Sequence, residues 1–290
     1  MKIAVIGANG QLGVDVCRAF QENNDDVIEI NHDQLDISNQ VKVLETLEII
    51  SPDAVINTAA MHNIEKCEKN PAQSFSVNGI GARNLAISSN EIGFTLFHIS
   101  TDYVFDGLKQ SPYKESDCPM PVNVYGNTKL SGEIFIQTIA EKYFIIRVSA
   151  IYGENKCRAK GGLNFVTLML KLSEERDEVR VINDEFVSPT YTKDVANQIV
   201  LMSNSAFKKY GLYHATSQGY CSWYDFAKEI FRLINSTIRL NVAKPGEFPA
   251  KVPRPLYSVL KNFALQEEGF DIMPHWKDSL KNYLTNIYKI

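Results

Sequence analysis

A tyrosine and a lysine four residues apart are the first pair in this sequence whose spacing suggests chemistry. On a helix, Tyr125 and Lys129 would share one face, because residues i and i+4 are neighbours there. An adjacent ammonium stabilises a phenolate, so the pair predicts a tyrosine that exchanges a proton with a carbonyl or alcohol oxygen. Such pairs are also common on solvated helix faces. The chemical interpretation is favoured because the preceding predicted strand ends in the hydroxyl of Thr101.

Three glycines near the N-terminus have the spacing of a phosphate-binding turn. They follow a short apolar run at 3–6 and precede an amphipathic segment. Glycine permits a tight turn and close approach to a pyrophosphate, and the helix N-terminus offers free N–H groups. This order of strand, loop and helix predicts a dinucleotide site rather than a purely structural turn. The predicted contacts in this loop are Gly7, Asn9, Gly10, Gln11, Leu12 and Gly13.

The end of the second predicted strand leaves the choice of dinucleotide open. Asn31 stands where an acidic residue usually accepts the ribose 2′-hydroxyl, and no arginine is adjacent to bind a 2′-phosphate. A neutral amide neither repels a phosphate nor grips a free diol as a carboxylate does. NADPH and NADH are therefore both expected cofactors, with Asn31 as a predicted contact.

The elements that must position these residues alternate between strand and helix. Short apolar runs predict buried, parallel strands at 3–6, 27–30, 54–57, 95–99 and 144–148. Amphipathic segments predict helices at 12–21, 40–49, 72–91 and 127–141, the second with Ser38 as N-cap. This alternation predicts an α/β fold with a Rossmann-type, doubly wound parallel sheet.

The alternation loosens after about residue 150. Helices are predicted at 163–176, 192–202, 223–233 and 276–288, with a strand at 179–182. We expect residues 1–150 to form the NAD(P)-binding domain that carries the catalytic residues. Residues 151–290 are expected to form mainly a smaller α/β substrate-binding domain, with segments that can return to the first, and a cleft between the two.

Composition excludes several classes of protein. The chain has 290 residues, 30 Lys and Arg, 34 Asp and Glu and a net charge of -4, which lacks the basic excess of a nucleic-acid binder. Its five cysteines contain no C-x-x-C pair, so neither a disulfide framework nor a zinc site is predicted. No apolar stretch approaches the roughly 20 residues that span a bilayer. We expect a cytoplasmic protein without nucleic-acid or membrane partners.

Two longer segments resemble a known family. They are 99–107 (ISTDYVFDG) and 124–133 (VYGNTKLSGE), and shorter matches occur at 57–60, 188–190, 221–227 and 254–258. In this order they resemble the dTDP-4-dehydrorhamnose reductase family, part of the extended short-chain dehydrogenase/reductase superfamily. The G-x-x-G-x-x-G spacing of the glycine turn is associated with the same superfamily. The similarity covers nearly the whole chain.

The resemblance implies an activity and a catalytic triad. It implies that NAD(P)H reduces the 4-keto group of a nucleotide-linked deoxysugar for cell-surface polysaccharide synthesis, converting dTDP-4-dehydro-L-rhamnose to dTDP-L-rhamnose or acting on a related sugar. The triad would be Thr101, Tyr125 and Lys129. Tyr125 would donate the proton, Thr101 would hydrogen-bond the ketone oxygen, and Lys129 would hold the ribose and lower the pKa of the tyrosine.

Further contacts follow from the same resemblance. On the cofactor side, Asp36 and Ile37 would border the adenine, although Asp36 could instead be a helix-start acid. Ala59 and Ala60 would allow close cofactor approach, and Asn78 would either join a proton relay behind Lys129 or cap a helix. Together with Tyr125 and Lys129 these complete the cofactor contacts. The predicted substrate contacts are Thr101, Asp102, Val104, Ala150 and Arg254, whose guanidinium suits bidentate diphosphate binding.

Three departures from the family pattern lie on the substrate side. Ala150 stands where the family has a tryptophan associated with the sugar, which implies a larger or differently shaped site. The segment 155–162 is longer and more basic than usual, and 183–187 adds bulk where the family has glycine. Some members bind magnesium at a dimer interface. Asp15 has a comparable position, but its partners are not recognisable, so no metal site is predicted.

A second class of function is compatible with the same resemblance. The methionine adenosyltransferase beta subunit, a non-catalytic NADP-binding regulatory protein, is similar to this reductase family. Retention of Thr101, Tyr125 and Lys129 favours the enzyme. The partner expected from the sequence is a nucleotide sugar, and the resemblance leaves a homodimer open.

Overall fold

A six-stranded parallel sheet forms the centre of the computed structural model, which describes residues 1–156, 161–204, 209–244 and 246–288. The strand order in this sheet is β10-β5-β4-β3-β1-β2. The described strands are β1 (Lys2–Ile6), β2 (Asp26–Ile30), β3 (Ala54–Asn57), β4 (Thr95–Thr101), β5 (Tyr143–Val148), β6 (Ile151–Tyr152), β7 (Glu178–Val181), β8 (Phe186–Val187), β9 (Thr190–Tyr191), β10 (Gly211–His214), β11 (Cys221–Ser222) and β12 (Arg239–Val242).

Helices cover both faces of the sheet and build the smaller second layer. They are α1 (Gln11–Glu22), α2 (Gln40–Ile50), α3 (Ile64–Lys69), α4 (Pro71–Phe75), α5 (Gly81–Ile92), α6 (Val124–Ile139), α7 (Phe165–Glu175), α8 (Thr192–Ser203), α9 (Trp223–Leu233), α10 (Phe263–Glu267) and α11 (Trp276–Tyr288). A π-helical turn spans Ser76–Ile80 and a 3-10 turn spans Asp102–Val104.

The doubly wound α/β fold predicted from the sequence is confirmed. All five strands predicted before residue 150 lie in the central sheet, and each pairs in parallel with its neighbours. Register brings the carboxyl ends to one edge: Ile6 pairs with Ile30 and Asn57, and Thr101 pairs with Val148. Ligands of open parallel sheets bind at this edge.

Two helix predictions are wrong in detail. The N-cap of α2 is Asn39, whose Oδ1 accepts the Lys42 N–H at 3.1 Å, whereas the Ser38 hydroxyl donates to Asp36. The predicted helix 72–91 is divided into α4, the π-helical turn and α5. Pro71 occupies the first turn of α4, where its missing N–H has no cost.

Segments after residue 150 return to the sheet. Strand β10 pairs in parallel with β5, and α8 packs against α1. Val195, Ala196 and Ile199 of α8 are buried in the same apolar cluster as Leu12 and Phe20. A separate cluster, built around Tyr152, Phe226 and Trp276, forms the core of the second layer.

Within the four described ranges, no helix combines the length and apolar character needed to cross a membrane.

Candidate active site

The glycine turn between β1 and α1 leaves no room for side chains. Gly7 has a φ of +81°, and a Cβ there would lie 2.9 Å from the Ala59 nitrogen. A Cβ on Gly13 would lie 2.2 Å from the Gly7 carbonyl oxygen. The N-cap of α1 is Gly10, with no side-chain cap and no acidic residue in the first turn. An open helix N-terminus behind a glycine cradle fits a dinucleotide pyrophosphate.

Hydrogen bonds to residues outside this turn fix the positions of Asn9 and Gln11. The Asn31 Oδ1 accepts the Asn9 N–H at 3.0 Å, so Asn31 shapes the loop as well as lying at the end of β2. The Gln11 side chain is buried and donates to the Asn155 carbonyl at 3.2 Å. Ala59 and Ala60 follow β3 and are half-buried, with the Ala59 nitrogen next to Gly7.

Helix α6 positions Tyr125 against the end of β4. Asn123 caps the helix by accepting the Gly126 N–H at 2.9 Å. The Thr101 side chain lies close enough to the Tyr125 phenol to act to lower its pKa, and the ring of Tyr103 meets the Tyr125 ring edge-on at 5.8 Å between centroids. The structure therefore brings Thr101 and Tyr125 together.

Lys129 lies one turn further along α6, and the partners of its amine lie on strand β4. The side chain is 1% exposed, and Nζ lies 2.6 Å from the Ile99 carbonyl oxygen and 2.9 Å from His98 Nε2. Burial lowers the pKa of Lys129 to about 8. Burial also raises the pKa of Tyr125 well above its usual range. Burial is the main cause of this shift, and the effect of Lys129 on the tyrosine pKa stays a prediction.

Asp102 lies beneath Thr101 rather than facing an open pocket. It is 3% exposed; Oδ1 accepts the Thr101 hydroxyl at 2.9 Å and Oδ2 accepts the Ser149 hydroxyl at 2.8 Å. Burial raises the pKa of this carboxyl. Val104 is fully buried in an apolar cluster with Phe105. Neither side chain is placed to contact a substrate directly, and Asp102 instead orients the Thr101 hydroxyl.

Asn78 clamps a loop rather than capping a helix. It lies within the π-helical turn; its Oδ1 accepts the Met61 N–H at 2.8 Å, and its Nδ2 donates to the Met61 carbonyl at 2.9 Å and to the Thr128 hydroxyl at 3.0 Å. The helix-cap alternative is therefore wrong. Among the described residues, its hydrogen bonds reach Thr128, the neighbour of Lys129, and not the Lys129 amine.

Asp36 and Ile37 lie at the start of the turn before α2. The Asp36 Oδ1 accepts both the backbone N–H and the hydroxyl of Ser38, and the backbone bond is the main cause of its lowered pKa. The Ile37 side chain is buried, and a Cβ added to Gly81 would lie only 2.6 Å from it. Asp36 therefore stabilises the turn before α2. The adenine contact that the resemblance implies at this residue stays a prediction.

Arg254 and Ala150 were predicted to contact the substrate, and both stay predictions. Arg254 is exposed, and its charge acts to lower the pKa of both Tyr103 and Glu185, although burial raises both overall. Ala150 has a φ of +44°, an uncommon conformation outside glycine. Of the basic segment 155–162, residues 157–160 lie outside the described residues.

A buried ion pair behind the site was missed by the sequence analysis. Arg147 on β5 donates to Glu133 on α6 through Nε at 2.9 Å and Nη2 at 2.6 Å, and Ser100 donates to Glu133 at 2.5 Å. Both charged side chains are almost fully buried. The sequence contains one signal for this ion pair. Arg147 interrupts an apolar strand, and Glu133 lies on the helix that carries Tyr125 and Lys129.

Among the described residues, no group of three or more acidic, histidine or cysteine side chains could hold a metal ion. Asp15, the position compared with the family magnesium site, is buried and bonded to the Thr192 hydroxyl. Burial raises its pKa. Arg18 lies 3.9 Å from its carboxylate.

The fold and this site define a class of protein. A glycine turn after the first strand, small residues after the third, and a Thr, Tyr and Lys group after the fourth are the arrangement of a short-chain dehydrogenase/reductase. More closely, the model of the RmlD substrate binding domain family matches residues 1–289. The chain belongs to this family.

Individual relatives agree with this assignment. The chain is 40% identical over 285 residues to the spore coat polysaccharide biosynthesis protein SpsK of Bacillus subtilis, covering 98% of this chain and 96% of the relative. It is 34% identical over 278 residues to a dTDP-4-keto-6-deoxy-D-glucose reductase of Streptomyces niveus, covering 95% and 94%.

Solved structures show the same similarity along the whole chain. A dTDP-4-dehydrorhamnose reductase of Clostridium acetobutylicum superposes with a TM-score of 0.93 at 39% identity, covering 100% of both chains. A dTDP-4-dehydrorhamnose reductase of Bacillus anthracis, solved in complex with NADP, superposes with a TM-score of 0.92 at 36% identity, covering 98% of this chain and 99% of that one.

Proposed function

We propose that this chain reduces the 4-keto group of a nucleotide-linked 6-deoxysugar with NADPH or NADH. The observation that carries the proposal is the approach of the Tyr125 phenol to the Thr101 side chain at the carboxyl edge of the sheet, beside the glycine turn. Membership of a family that includes dTDP-sugar ketoreductases supports the substrate class.

The bound cofactor would supply the hydride to the ketone carbon. Tyr125 is the proton donor, and its raised pKa keeps the phenol protonated in the free chain. Thr101 Oγ1 accepts the Tyr103 N–H at 3.2 Å and gives its own hydrogen to Asp102. It can hydrogen-bond the ketone oxygen only after its hydrogen leaves Asp102. Lys129 would hold the nicotinamide ribose, and its amine must then reach the cofactor from its buried position against His98 and the Ile99 carbonyl.

The identity of the sugar is set on the other side of the site. Arg254 is an exposed cation suited to the diphosphate, and its charge acts on the neighbouring Glu185. Ala150 leaves the space that a tryptophan fills in other members. Among the 6-deoxysugars, dTDP-4-dehydro-L-rhamnose is the first substrate to assay and dTDP-4-keto-6-deoxy-D-glucose the second.

The test of the proposal is replacement of Tyr125. Tyr125→Phe removes the proton donor and keeps the ring, so ketosugar-dependent NADPH oxidation should fall by about 10²-fold or more while NADPH affinity changes little. Tyr143→Phe is the matched control. Tyr143 lies at the amino end of β5, at the edge of the sheet opposite the site, so this variant should retain full activity. Unchanged turnover in Tyr125→Phe would exclude this role. Absence of turnover over a broad ketosugar panel, with cofactor still bound, would favour the regulatory-subunit alternative.

The proposed chemistry bears on where the protein acts, and the family bears on how it assembles. NAD(P)H and nucleotide sugars are cytoplasmic metabolites, which supports a cytoplasmic enzyme. A homodimer remains a prediction from the family, and sedimentation velocity of the purified chain tests it directly.

A further inference from the structure

A buried chain of side chains connects Lys129 to the edge of the dinucleotide site. His98 Nε2 lies 2.9 Å from Lys129 Nζ, and His98 Nδ1 lies 3.0 Å from Asn57 Nδ2. The Asn57 Oδ1 accepts the Ala59 N–H at 3.1 Å. Asn57, His98 and Lys129 are each 1% exposed, so water does not compete for these bonds.

The Ala59 N–H fixes the direction of every bond in this chain. A backbone N–H is only a donor, so it must face the Asn57 oxygen, which turns the Asn57 amide group toward His98. That NH₂ is also only a donor, so His98 Nδ1 must accept. A neutral imidazole carries one N–H, which is then on Nε2 and points at Lys129. Only an uncharged amine has the lone pair to accept it.

The arrangement therefore belongs to the neutral form of Lys129. In that form the amine accepts from His98 and donates to the Ile99 carbonyl, and every bond has one donor and one acceptor. If Lys129 carries a charge, His98 Nε2 must accept and Nδ1 must bear the hydrogen. Nδ1–H would then face the Asn57 NH₂, donor against donor. Turning the Asn57 amide relieves this conflict but removes the acceptor of the Ala59 N–H.

We propose that Asn57 and His98 are positioning residues forming a two-position hydrogen-bond switch, which couples the charge of Lys129 to the availability of the Ala59 N–H. Charging Lys129 requires one proton in total. His98 gains a proton on Nδ1 and passes its Nε2 proton to Lys129, so the ring stays neutral. The Ala59 N–H then becomes available beside Gly7, where a bound dinucleotide can accept it.

The charges around the switch are accounted for. Burial, followed by the nearby Lys129 charge, lowers the pKa of His98, which keeps the ring neutral. Glu133 acts in the opposite direction on Lys129 and is itself paired with Arg147. The other titratable groups packed around the Tyr125 and Lys129 face include Tyr103, Asp102 and Cys67. The use of the switch in cofactor binding rests on the proposed function, whereas the switch itself rests on the chain's own hydrogen bonds.

The tautomer of His98 tests the switch in the unaltered, ligand-free chain. With ring-¹⁵N histidine, long-range proton–nitrogen NMR should show Nε2–H at about pH 9 and Nδ1–H at about pH 6.5, with a neutral ring at both. His214 is an internal control, because its Nδ1 faces the Lys261 carbonyl at 3.1 Å and must stay Nδ1–H throughout. The His98→Gln variant lacks the imidazole, so the ring signals that disappear from its spectrum belong to His98. A single His98 tautomer at both pH values, or a doubly protonated ring, would overturn the proposal.

A substitution at Asn57 tests the coupling to cofactor. The carboxylate in Asn57→Asp accepts from both the Ala59 N–H and His98 Nδ1–H, so it favours charged Lys129 before cofactor arrives. Calorimetry of NADPH binding in two buffers at about pH 8.5 should show proton uptake by the wild type and at least about threefold less uptake by the variant. Equal uptake would overturn the coupling. Neither measurement requires a ketosugar, so failure of the proposed substrate leaves both results interpretable.

Discussion

At the scale of single residues, Glu133 and Arg147 join the helix that carries Tyr125 and Lys129 to strand β5. The pair is bidentate, Ser100 adds a third bond, and the Arg147 guanidinium lies 5.0 Å from the centre of the Phe105 ring. Two buried charges are stable here because each is neutralised by the other. The pair therefore holds α6 in register against the sheet at the level of the catalytic side chains.

Breaking this pair should cost far more than breaking a surface pair. Glu133→Gln leaves Arg147 charged and buried, and we expect the free energy of unfolding to fall by about 3–5 kcal/mol. Glu45→Gln, which breaks the exposed pair between Lys42 and Glu45, should change it by less than about 1 kcal/mol. Urea unfolding followed by circular dichroism measures both. A loss below about 1 kcal/mol for Glu133→Gln would contradict this account.

The residues closest to the chemistry were predictable, and their supporting contacts were not. Thr101, Tyr125 and Lys129 are visible as types and spacings within short segments. The partners of Lys129 and Tyr125 depend on how strands and helices pack: His98 is 31 residues from Lys129 and Arg147 is 14 from Glu133. Spacing along the sequence does not predict such pairs, because they form only when the strands and helices pack together. The effect of burial on the tyrosine pKa was missed for the same reason.

At the scale of elements, the close approach of α6 to the 3-10 turn after β4 sets the distance between the catalytic side chains. A Cβ on Gly126 would lie 2.1 Å from the Tyr103 carbonyl oxygen and 2.8 Å from the Pro121 side chain. Glycine is needed here for space, since real Cβ contacts are never this short. The helix can therefore bring Tyr125 against Thr101 only with glycine at this position.

Adding one carbon at this position should separate the catalytic residues. Gly126→Ala must displace α6 or the turn, and a shift of about 1 Å in a reacting group can reduce kcat by about 10²-fold. Gly79→Ala is the matched control, because its Cβ would meet its nearest atom at an ordinary 3.6 Å. Steady-state kinetics with NADPH and the ketosugar, together with a cofactor affinity measurement, give the comparison. Equal kcat values for the two variants would show that α6 adapts without moving Tyr125.

Elements of the sheet were more predictable than the helical segment that crosses it. Buried parallel strands are short apolar runs between turn residues, and all five were found within two residues of their observed ends. The segment 72–91 was predicted as one helix because its apolar period continues through the π-helical turn at Ser76–Ile80. That turn is determined by tertiary contacts, including the bonds of Asn78 to Met61, which periodicity does not report.

At the scale of the whole molecule, the chain after residue 150 builds both the second layer and one edge of the first. Strand β10 extends the central sheet, and its last residue, His214, connects three segments. The His214 N–H donates to Glu115 at 3.0 Å, and Nδ1 faces the Lys261 carbonyl at 3.1 Å. Segments from both sides of residue 150 therefore share one sheet and one core, and the division of functions at this boundary stays a prediction.

This junction should make stability depend on pH through His214. Burial, followed by the Arg147 charge, lowers the pKa of His214 to about 3. Between about pH 6.5 and about pH 3 the unfolded chain binds this proton and the folded chain does not, so stability falls as pH falls. Over the step from about pH 7 to about pH 5, this one group should remove about 2 kcal/mol from the free energy of unfolding.

The variant that isolates this contribution is His214→Asn, whose amide N–H can still donate to the Lys261 carbonyl but does not titrate. It should be less stable at neutral pH, because asparagine is smaller, yet lose about 2 kcal/mol less than the wild type between about pH 7 and about pH 5. Buried carboxyls such as Glu115, whose pKa burial raises, titrate in both proteins and cancel in the difference. Urea unfolding at several pH values measures the two curves. Parallel curves would mean that His214 is protonated in the folded chain, which the buried Arg147 charge and the lack of any partner for Nε2 among the described residues oppose.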